Sequence, residues 1–462
     1  MKVPAHAFRE YDIRGVADRD LSSELAHAIG LGLASMLSVD GKAPRLCVAR
    51  DCRLSGERLH EALVGGLVAG GARVVDVGVG PTPMLYFSVY HLDADGGVMV
   101  TGSHNPADEN GFKIMKGKGS FFGHDIQALA ARIAEDRLPT RSGGQLESVD
   151  VKADYVEALT KDIERPPPGT KIVLDAGNGA GGPLGVRALR AIGVEPDALF
   201  CEMDGRFPAH HPDPTVPENL RALIDRVRAT GARVGLAYDG DADRLGAVDA
   251  DGSIVWGDRL LTLFSRHLLA KHPGAAILGE VKCSQTLYDD IAKHGGRPIV
   301  WKTGHSLIKT KMKEEGALLA GEMSGHLFFK DRWFGFDDAL YAGLRLVEIL
   351  GKDGRSIAEM LADVPRTFST PELRVSCPDA VKFAVVQTVK EHFEKAGRPV
   401  LAIDGARVSF GTPDAPAWGL VRASNTGPVL VLRFEASTEA RLAEIRAEVE
   451  AKVAEARRAH GA

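Results

Sequence analysis

The sequence predicts an α/β protein of several domains, three of them built alike and the last of another kind. Three observations carry this expectation. The chain has 462 residues, which at roughly 150 residues per domain leaves room for about three domains, with four within range. Short apolar strands alternate with helical patterns in three successive stretches, as in sheets covered on both faces. Beyond about Val364 that rhythm stops, giving way to a helix, closely spaced strands and a closing charged helix.

The first stretch opens on the strand Leu46-Cys47-Val48-Ala49. Leu59, Leu63 and Leu67 then recur one helical turn apart, along one face. Val74-Val75-Asp76-Val77 is the next strand, a helix follows Pro83, and Gly97-Val98-Met99-Val100 is a third strand ending at Thr101. The second stretch places a strand at Ile172-Val173-Leu174, a helix after Gly182, another from Asn219 to Val227, and a strand at Val234-Gly235-Leu236-Ala237. The third has strands at 276–278, 299–300 and 318–320 with helices between. Turn-rich residues 138–144 and the stiff connector Arg165-Pro166-Pro167-Pro168-Gly169 punctuate the chain. In the last stretch a helix over 380–395 precedes strands near Leu401, Val408, Leu420 and Leu430, and a helix runs from Ser437 towards His460. The stretches share architecture rather than sequence, so no short-period solenoid is expected.

Composition narrows the function classes. Hydrophobic residues make up 44% and charged residues 26%, as in ordinary soluble domains. The 57 basic and 62 acidic residues give a net charge of -5. That balance argues against nucleic-acid binding through a broad basic face, but a small anionic ligand needs only a local cluster. The five cysteines are scattered with no C-x-x-C pair, against a disulfide framework or zinc site. The start lacks an apolar signal region and no apolar run is long enough to span a bilayer, so the cytoplasm is the expected compartment.

Four loops carry the chemistry. Asp239-Gly240-Asp241-Ala242-Asp243-Arg244 follows a strand, and its alternating carboxylates could converge on one hard divalent cation. An EF-hand would need Gly at its sixth position and Glu at its twelfth, where Arg244 and Ala250 stand. A solvated acidic turn would leave the three carboxylates repelling one another. Thr101-Gly102-Ser103-His104-Asn105-Pro106 also ends a strand, where open α/β sheets bind ligands. It lacks the G-x-S-x-G spacing of a hydrolase nucleophile elbow, and alone it reads as a structural turn. Arg422-Ala423-Ser424-Asn425-Thr426-Gly427-Pro428 offers a guanidinium, hydroxyls and an amide that can wrap a phosphate, though such composition is common to turns in general. In Gly321-Glu322-Met323-Ser324-Gly325-His326, Glu322 and Ser324 can bond neighbouring sugar hydroxyls, and a tight turn or capped helix start is the plain alternative.

Together, in this order, the four loops resemble those of the α-D-phosphohexomutase family, and within it the bacterial phosphomannomutase/phosphoglucomutase branch. The resemblance covers nearly the whole chain. It extends to Phe8-Arg9-Glu10-Tyr11-Asp12-Ile13-Arg14-Gly15, Asn110-Gly111-Phe112-Lys113, Val281-Lys282-Cys283 and Lys302-Thr303-Gly304-His305-Ser306. It implies four domains around a central cleft: three related mixed α/β units and a C-terminal α+β module like the TATA-binding protein. Their expected limits are 1–145, 146–250, 251–365 and 366–462.

The resemblance also implies the activity: reversible phosphoryl transfer between C1 and C6 of glucose and mannose phosphates through phosphorylated Ser103, with a hexose 1,6-bisphosphate as intermediate and activator. It implies Mg²⁺ held by Asp239, Asp241 and Asp243 together with Ser103. Arg14, Lys113, Arg244, His305 and His326 are the implied catalytic group. Lys113, His305 and His326 are unranked candidates for acid/base transfer, and His104 is expected to orient the serine loop. Tyr11, Lys282, Glu322, Ser324, Arg422, Ser424, Asn425 and Thr426 are the implied substrate contacts. The partners implied are small hexose phosphates, with no nucleic acid or membrane, and a monomer is expected with a homodimer as the alternative. The competing readings are a phosphoglucosamine mutase, a magnesium-dependent sugar phosphatase and a non-catalytic sugar-phosphate sensor. The Ser424-Asn425-Thr426-Gly427 run departs from the Ser-Gly-Thr-Glu pattern of the glucosamine branch. An Asp-x-Asp-x-Thr/Val phosphatase motif is broken by Asp243.

Overall fold

A computed structural model of the chain describes residues 3–38, 41–412, 415–425 and 427–462. Four sheets succeed one another along the sequence. The first three repeat one topology. In the first, parallel strands Arg45–Arg50, Arg73–Val79 and Gly96–Val100 are followed by the antiparallel strand Glu109–Lys116. The earliest strand lies between the next two, and the antiparallel strand flanks the third. The second sheet does the same with Ile172–Asp175, Asp197–Leu199, Val234–Tyr238 and Leu245–Asp249. The third repeats it with Ala276–Glu280, Arg297–Trp301, Leu319–Gly321 and Leu327–Phe329.

This repetition positions the chemistry. In every unit the hairpin between the third and fourth strands carries one functional loop: residues 101–108, 239–244 and 322–326. A second device recurs at the end of the first strand. There a buried carboxylate accepts the backbone N–H two residues on: Arg53 to Asp51 (2.9 Å), Gly177 to Asp175 (2.9 Å) and Lys282 to Glu280 (2.8 Å). Such side-chain turns satisfy N–H groups where a strand breaks off.

The fourth sheet is antiparallel throughout, with Leu373–Ser376, Ala406–Ser409, Ala417–Ala423 and Val429–Ala436 among its strands and the helices Lys382–Lys395 and Glu439–Ala459 packed on it. The alternation of sheet type along the chain thus changes where the sequence pattern changes. Residues 217–230 begin as a 3₁₀ turn over Pro217–Leu220 and continue as the helix Arg221–Thr230. Two expected limits shift. The break at 145/146 cuts the strand Gln145–Ser148, which pairs in the first sheet, and the break at 250/251 precedes Ile254–Val255, which pairs in the second. Both are short edge strands with too few residues to show a periodicity.

The largest apolar core runs through the first three units, joining Leu85 and Phe87 to Leu174 and Leu236 and on to Leu261, Phe329 and Leu340. The fourth unit keeps its own core around Val389, Phe393, Leu432, Phe434 and Val449. Helix Ala339–Asp353 crosses the shared core, buried from Ala339 to Leu350, and ends at Gly354 with φ 84°, a left-handed C-terminal stop. Its N-terminus is held by Asp338, which accepts from Tyr341 N (2.9 Å) and from the Tyr155 hydroxyl (2.8 Å).

Burial raises the Asp338 carboxyl from 3.8 to about 7. Its folded value therefore lies above its unfolded one, so the carboxyl gains a proton on folding between those values. Its contribution to stability is greatest at low pH and is lost as pH rises through that window. Asp338→Asn, which keeps the capping oxygen, should remove this dependence. The variant's stability relative to the parent should rise between pH 4 and 7, by up to about 4 kcal/mol, in denaturant titrations at each pH.

Candidate active site

The loop after Gly96–Val100 holds Ser103 at φ 51° with 1% of its surface exposed. A left-handed backbone at a residue with a Cβ costs about 1–3 kcal/mol and persists only where the surroundings fix it. Here Ser103 N donates to Thr101 Oγ1 (2.9 Å). Its Oγ donates to Asp239 Oδ2 of the second unit (2.8 Å), and His104 Nδ1 lies 3.2 Å from the same Oγ. Burial, then the charges of Arg244, Arg14 and Lys113, hold His104 well below the ordinary imidazole value. A neutral ring beside the hydroxyl suits an orienting role.

The acidic loop meets this serine almost backbone to backbone. A Cβ at Gly240 would sit 2.2 Å from Ser103 O, so the approach needs glycine. Asp239, Asp241 and Asp243 are fully buried, and one oxygen from each lies within 4.8 Å of the others. Lys113, on the antiparallel strand of the first unit, donates to Asp241 Oδ2 (2.7 Å) and to Asp243 Oδ2. Thr82 donates its hydroxyl to Asp241 Oδ2 and its N–H to Asp241 O (2.9 Å), at the start of helix Thr82–His91. Asp241 Oδ1 and Asp243 Oδ1 are buried without a hydrogen bond among the described residues. Unpaired buried carboxylate oxygens beside a serine hydroxyl form an all-oxygen donor set, which fits a hard divalent cation.

Electrostatics agrees with that fit. Burial and the charges of Asp241 and Asp243 push Asp239 well above the ordinary carboxyl value, the response of crowded carboxylates short of positive charge. Burial opposes charge on Lys113, but Asp241 and Asp243 outweigh it and raise its value, so it stays protonated. Arg14 pairs with Asp12 (2.7 Å) and donates to Asn105 Oδ1 (3.0 Å), close enough to Asp241 and Asp243 to feel their charge.

The third unit closes the site. Glu322 Oε1 accepts from Gly304 N (2.9 Å) and its Oε2 from Ser324 Oγ (3.0 Å). Arg244 Nε donates to His326 Nε2 (3.0 Å). A guanidinium has no acceptor, so that nitrogen is unprotonated and the ring proton sits on Nδ1, 3.0 Å from Asp337 Oδ2. His305 stacks on His326 with centroids 5.7 Å apart, and neither of its ring nitrogens makes a hydrogen bond among the described residues. Burial, followed by Lys309, holds His305 well below the ordinary imidazole value.

From the fourth unit, Arg422 donates to Asp404 Oδ2 (2.9 Å), which also accepts Thr303 N (3.1 Å). Asn425 donates to the Tyr11 hydroxyl (2.6 Å), and that hydroxyl donates to Thr303 O (2.7 Å). Lys282 pairs with Glu372 (3.1 Å) and lies 3.9 Å from Glu280. Ser424 offers its carbonyl to Lys382 Nζ (2.5 Å). Thr426 lies outside the described residues. The loops thus form one group of Ser103, Asp239, Asp241, Asp243, Lys113, Arg14, Arg244, His326 and His305 and another of Tyr11, Asn425, Arg422, Lys282 and Ser424 at the fourth-unit side, joined by the edge contact of the Tyr11 and His305 rings, centroids 6.2 Å apart. Glu322 and Ser324 sit between, through Gly304 beside His305.

Sequence reasoning missed several members. Arg53 is fully buried and donates to four carbonyls of the serine loop. Thr82 and Asp337 contact the site from outside any of its motifs, and Lys309 donates to Asp337 (3.0 Å). Lys382 bonds Asp379 (2.7 Å) as well as the fourth-unit loop. Only the position of Arg53 just past a strand end could have drawn notice.

Comparison with known proteins agrees with this architecture. Residues 5–139, 153–252, 256–368 and 372–452 match, in turn, phosphoglucomutase/phosphomannomutase alpha/beta/alpha domains I, II and III and the C-terminal domain. The chain is 47% identical over 444 residues to a Pseudomonas putida protein named phosphomannomutase/phosphoglucomutase, covering 96% of this chain and 94% of the relative. It is 46% identical over 442 residues to a Neisseria gonorrhoeae phosphoglucomutase, covering 95% and 94%. A crystal structure of a Burkholderia thailandensis phosphoglucomutase/phosphomannomutase family protein matches with TM-score 0.91 and 44% identity over 98% of both chains. With all four domains matched in order and the serine loop, the acidic loop and the Glu322–His326 loop meeting in one place, this chain belongs to the phosphoglucomutase/phosphomannomutase family.

Proposed function

We propose that the protein moves a phosphoryl group between C1 and C6 of glucose and mannose phosphates, through phosphorylated Ser103 and a hexose 1,6-bisphosphate. One observation carries the reading. The Ser103 hydroxyl reaches Asp239 of another unit at 2.8 Å, beside two buried carboxylate oxygens that make no hydrogen bond among the described residues, in a chain 47% identical to relatives named for this activity.

In the forward step a free sugar hydroxyl attacks the phosphorus carried on Ser103. Its oxygen–phosphorus bond forms as the Ser103 Oγ–phosphorus bond breaks, and the hydroxyl proton passes to a base. The bisphosphate then turns over, Ser103 Oγ takes the other phosphoryl group, and the proton returns to the sugar oxygen that is released. Such transfer depends on in-line positioning and charge stabilisation more than on covalent help. A phosphoserine brings about -1.5 to -2 of charge to a site that already holds three carboxylates. Lys113, Arg14 and Arg244 are the cations that meet it. Bound at Asp239, Asp241 and Asp243, magnesium would supply Lewis-acid stabilisation of charge on the serine oxygen.

The three acid/base candidates separate on geometry. Lys113 is held protonated by two carboxylates, which suits charge stabilisation. His326 Nε2 is taken up by Arg244, while its Nδ1 makes no hydrogen bond among the described residues and lies 3.0 Å from Asp337 Oδ2. His305 makes no hydrogen bond at either nitrogen among the described residues, its Nδ1 lying 4.0 Å from Asp337 Oδ2; burial keeps its ring neutral, and it is the base in this reading. Glu322 and Ser324 take sugar hydroxyls, and Tyr11, Lys282, Arg422, Ser424, Asn425 and Thr426 take the distal phosphate. Priming needs a hexose 1,6-bisphosphate to load Ser103. A monomer is the working unit in this reading, with a homodimer as the alternative. The cytoplasm, where such sugar phosphates are metabolised, remains the compartment of this reading, and no helix among the described residues is long and apolar enough to cross a membrane.

Protein purified with magnesium should carry phosphate on Ser103 by mass spectrometry and interconvert glucose 1- and 6-phosphate once primed with bisphosphate. Ser103→Ala should lower turnover by at least about 10³-fold while keeping its circular dichroism spectrum. Wild-type rates in that variant would remove the nucleophile from the scheme. Glucosamine 1-phosphate should show kcat/KM at least about tenfold below glucose 1-phosphate. Inorganic phosphate release without isomerised sugar would instead favour a phosphatase.

His305→Gln should lower kcat by roughly 10²–10³-fold with KM within about threefold. Steady-state kinetics with saturating activator tests this, and an unchanged kcat transfers the base role elsewhere.

A further inference from the structure

We propose that Arg53 is the positioning residue of the nucleophile, its guanidinium forming an internal mould around which the serine loop is folded. The inference rests on Ser103 as the phosphoryl carrier and concerns what holds it.

Arg53 is among the largest side chains in the protein with no solvent contact. Nη1 donates to Pro106 O (2.5 Å) and Glu109 O (2.8 Å), and Nη2 donates to Ser103 O (2.8 Å) and Asn105 O (2.6 Å). All four acceptors lie in the hairpin that presents Ser103. A planar fork with fixed donors sets the relative positions of those carbonyls in a way a single ammonium cannot. The loop is shaped to admit it: a Cβ at Gly102 would stand 2.6 Å from the Arg53 guanidinium carbon.

The anchor of this mould is Asp51. It accepts Arg53 N (2.9 Å), the Thr101 hydroxyl (2.7 Å) and Gly102 N (3.3 Å), and Arg53 Nε lies 3.3 Å from its Oδ2. Thr101 in turn accepts Ser103 N. Both peptide groups of the left-handed Ser103 are therefore fixed, N–H through Thr101 and Asp51, carbonyl through Arg53. The second unit covers the guanidinium with the Phe207 ring, its centroid 5.0 Å away. The equivalent turns of the other two units place Gly177 and Lys282 at this position. Glycine offers no fork, and Lys282 bonds Glu372 of the fourth unit rather than its own hairpin. Of these three turns, only the one in the serine-bearing unit places a guanidinium at this position.

Positioning of this kind acts on the chemical step more than on binding, because a displacement of about 1 Å in a reacting atom can cost on the order of 100-fold in rate. The test uses the full-length protein with magnesium and bisphosphate activator, and the probes are glucose 1-phosphate and ethylguanidinium. Arg53→Ala should lower kcat roughly 100-fold with KM within about threefold, and millimolar ethylguanidinium should restore at least about tenfold of it, with ethylammonium inactive. Arg53→Lys keeps the charge but not the fork, and should lose at least about tenfold in kcat at unchanged KM. If Arg53→Ala does not fold, the kcat and KM of Arg53→Lys decide alone. Wild-type kcat in Arg53→Lys, or a loss shared equally between kcat and KM without guanidinium rescue, overturns the proposal. Ser103→Ala assayed alongside separates the two ideas: full activity there sinks the nucleophile itself, whereas an inactive Ser103→Ala beside an active Arg53→Lys sinks only the mould.

Discussion

The crowding of three buried carboxylates is the constraint on which the rest of the site depends. Asp239, Asp241 and Asp243 have no exposed surface, and their charges in a medium of low polarity would be strongly unfavourable without compensation. The fold answers with groups from three units. Lys113 and Thr82 come from the first unit, Arg244 from the acidic loop itself, and His326 with Asp337 behind it from the third. The units are brought together around the charge they must share, over an apolar core that is continuous between them. One oxygen each of Asp241 and Asp243 makes no hydrogen bond among the described residues in that arrangement, close to the serine, where positive charge serves phosphoryl transfer.

Repetition explains how one chain assembles such a site. Three copies of a single sheet topology each deliver a hairpin at the same topological position, and the three hairpins hold Ser103, the acidic triplet and the Glu322–His326 loop. The turn at the end of the first strand keeps one form across the copies, with a carboxylate bonding the N–H two residues on. The residue that donates this N–H differs from copy to copy: an arginine turned inward, a glycine, and a lysine turned towards the fourth unit. The fold is constant at the anchor and variable at the tip, as expected when loops carry function and strands carry packing.

How much of this was legible in the sequence depended on whether the controlling contacts were local. Apolar runs such as Val234–Tyr238, buried at every residue, announced their strands. The antiparallel fourth strands did not, because Glu109–Lys116 interleaves the buried polar residues Asn110 and Lys113 and Leu327–Phe329 is three residues long. Ser103 and the acidic triplet could be named because each lies in a compact motif. Arg53, Thr82, Asp337 and Lys382 could not, because each acts on a partner that only folding brings near. Arg53 bonds carbonyls 50 to 56 residues away, which leave no trace in side-chain composition.

The contact between Gly240 and the Ser103 carbonyl has a mechanical corollary. Two main chains touch here with no side chain between them, so the serine and acidic loops pack backbone against backbone. A side chain at position 240 would force the two loops apart and with them the serine and the acidic triplet. On the opposite side the fourth unit meets its neighbours through side chains instead, Asn425 bonding Tyr11 of the first unit and Lys282 of the third unit bonding Glu372.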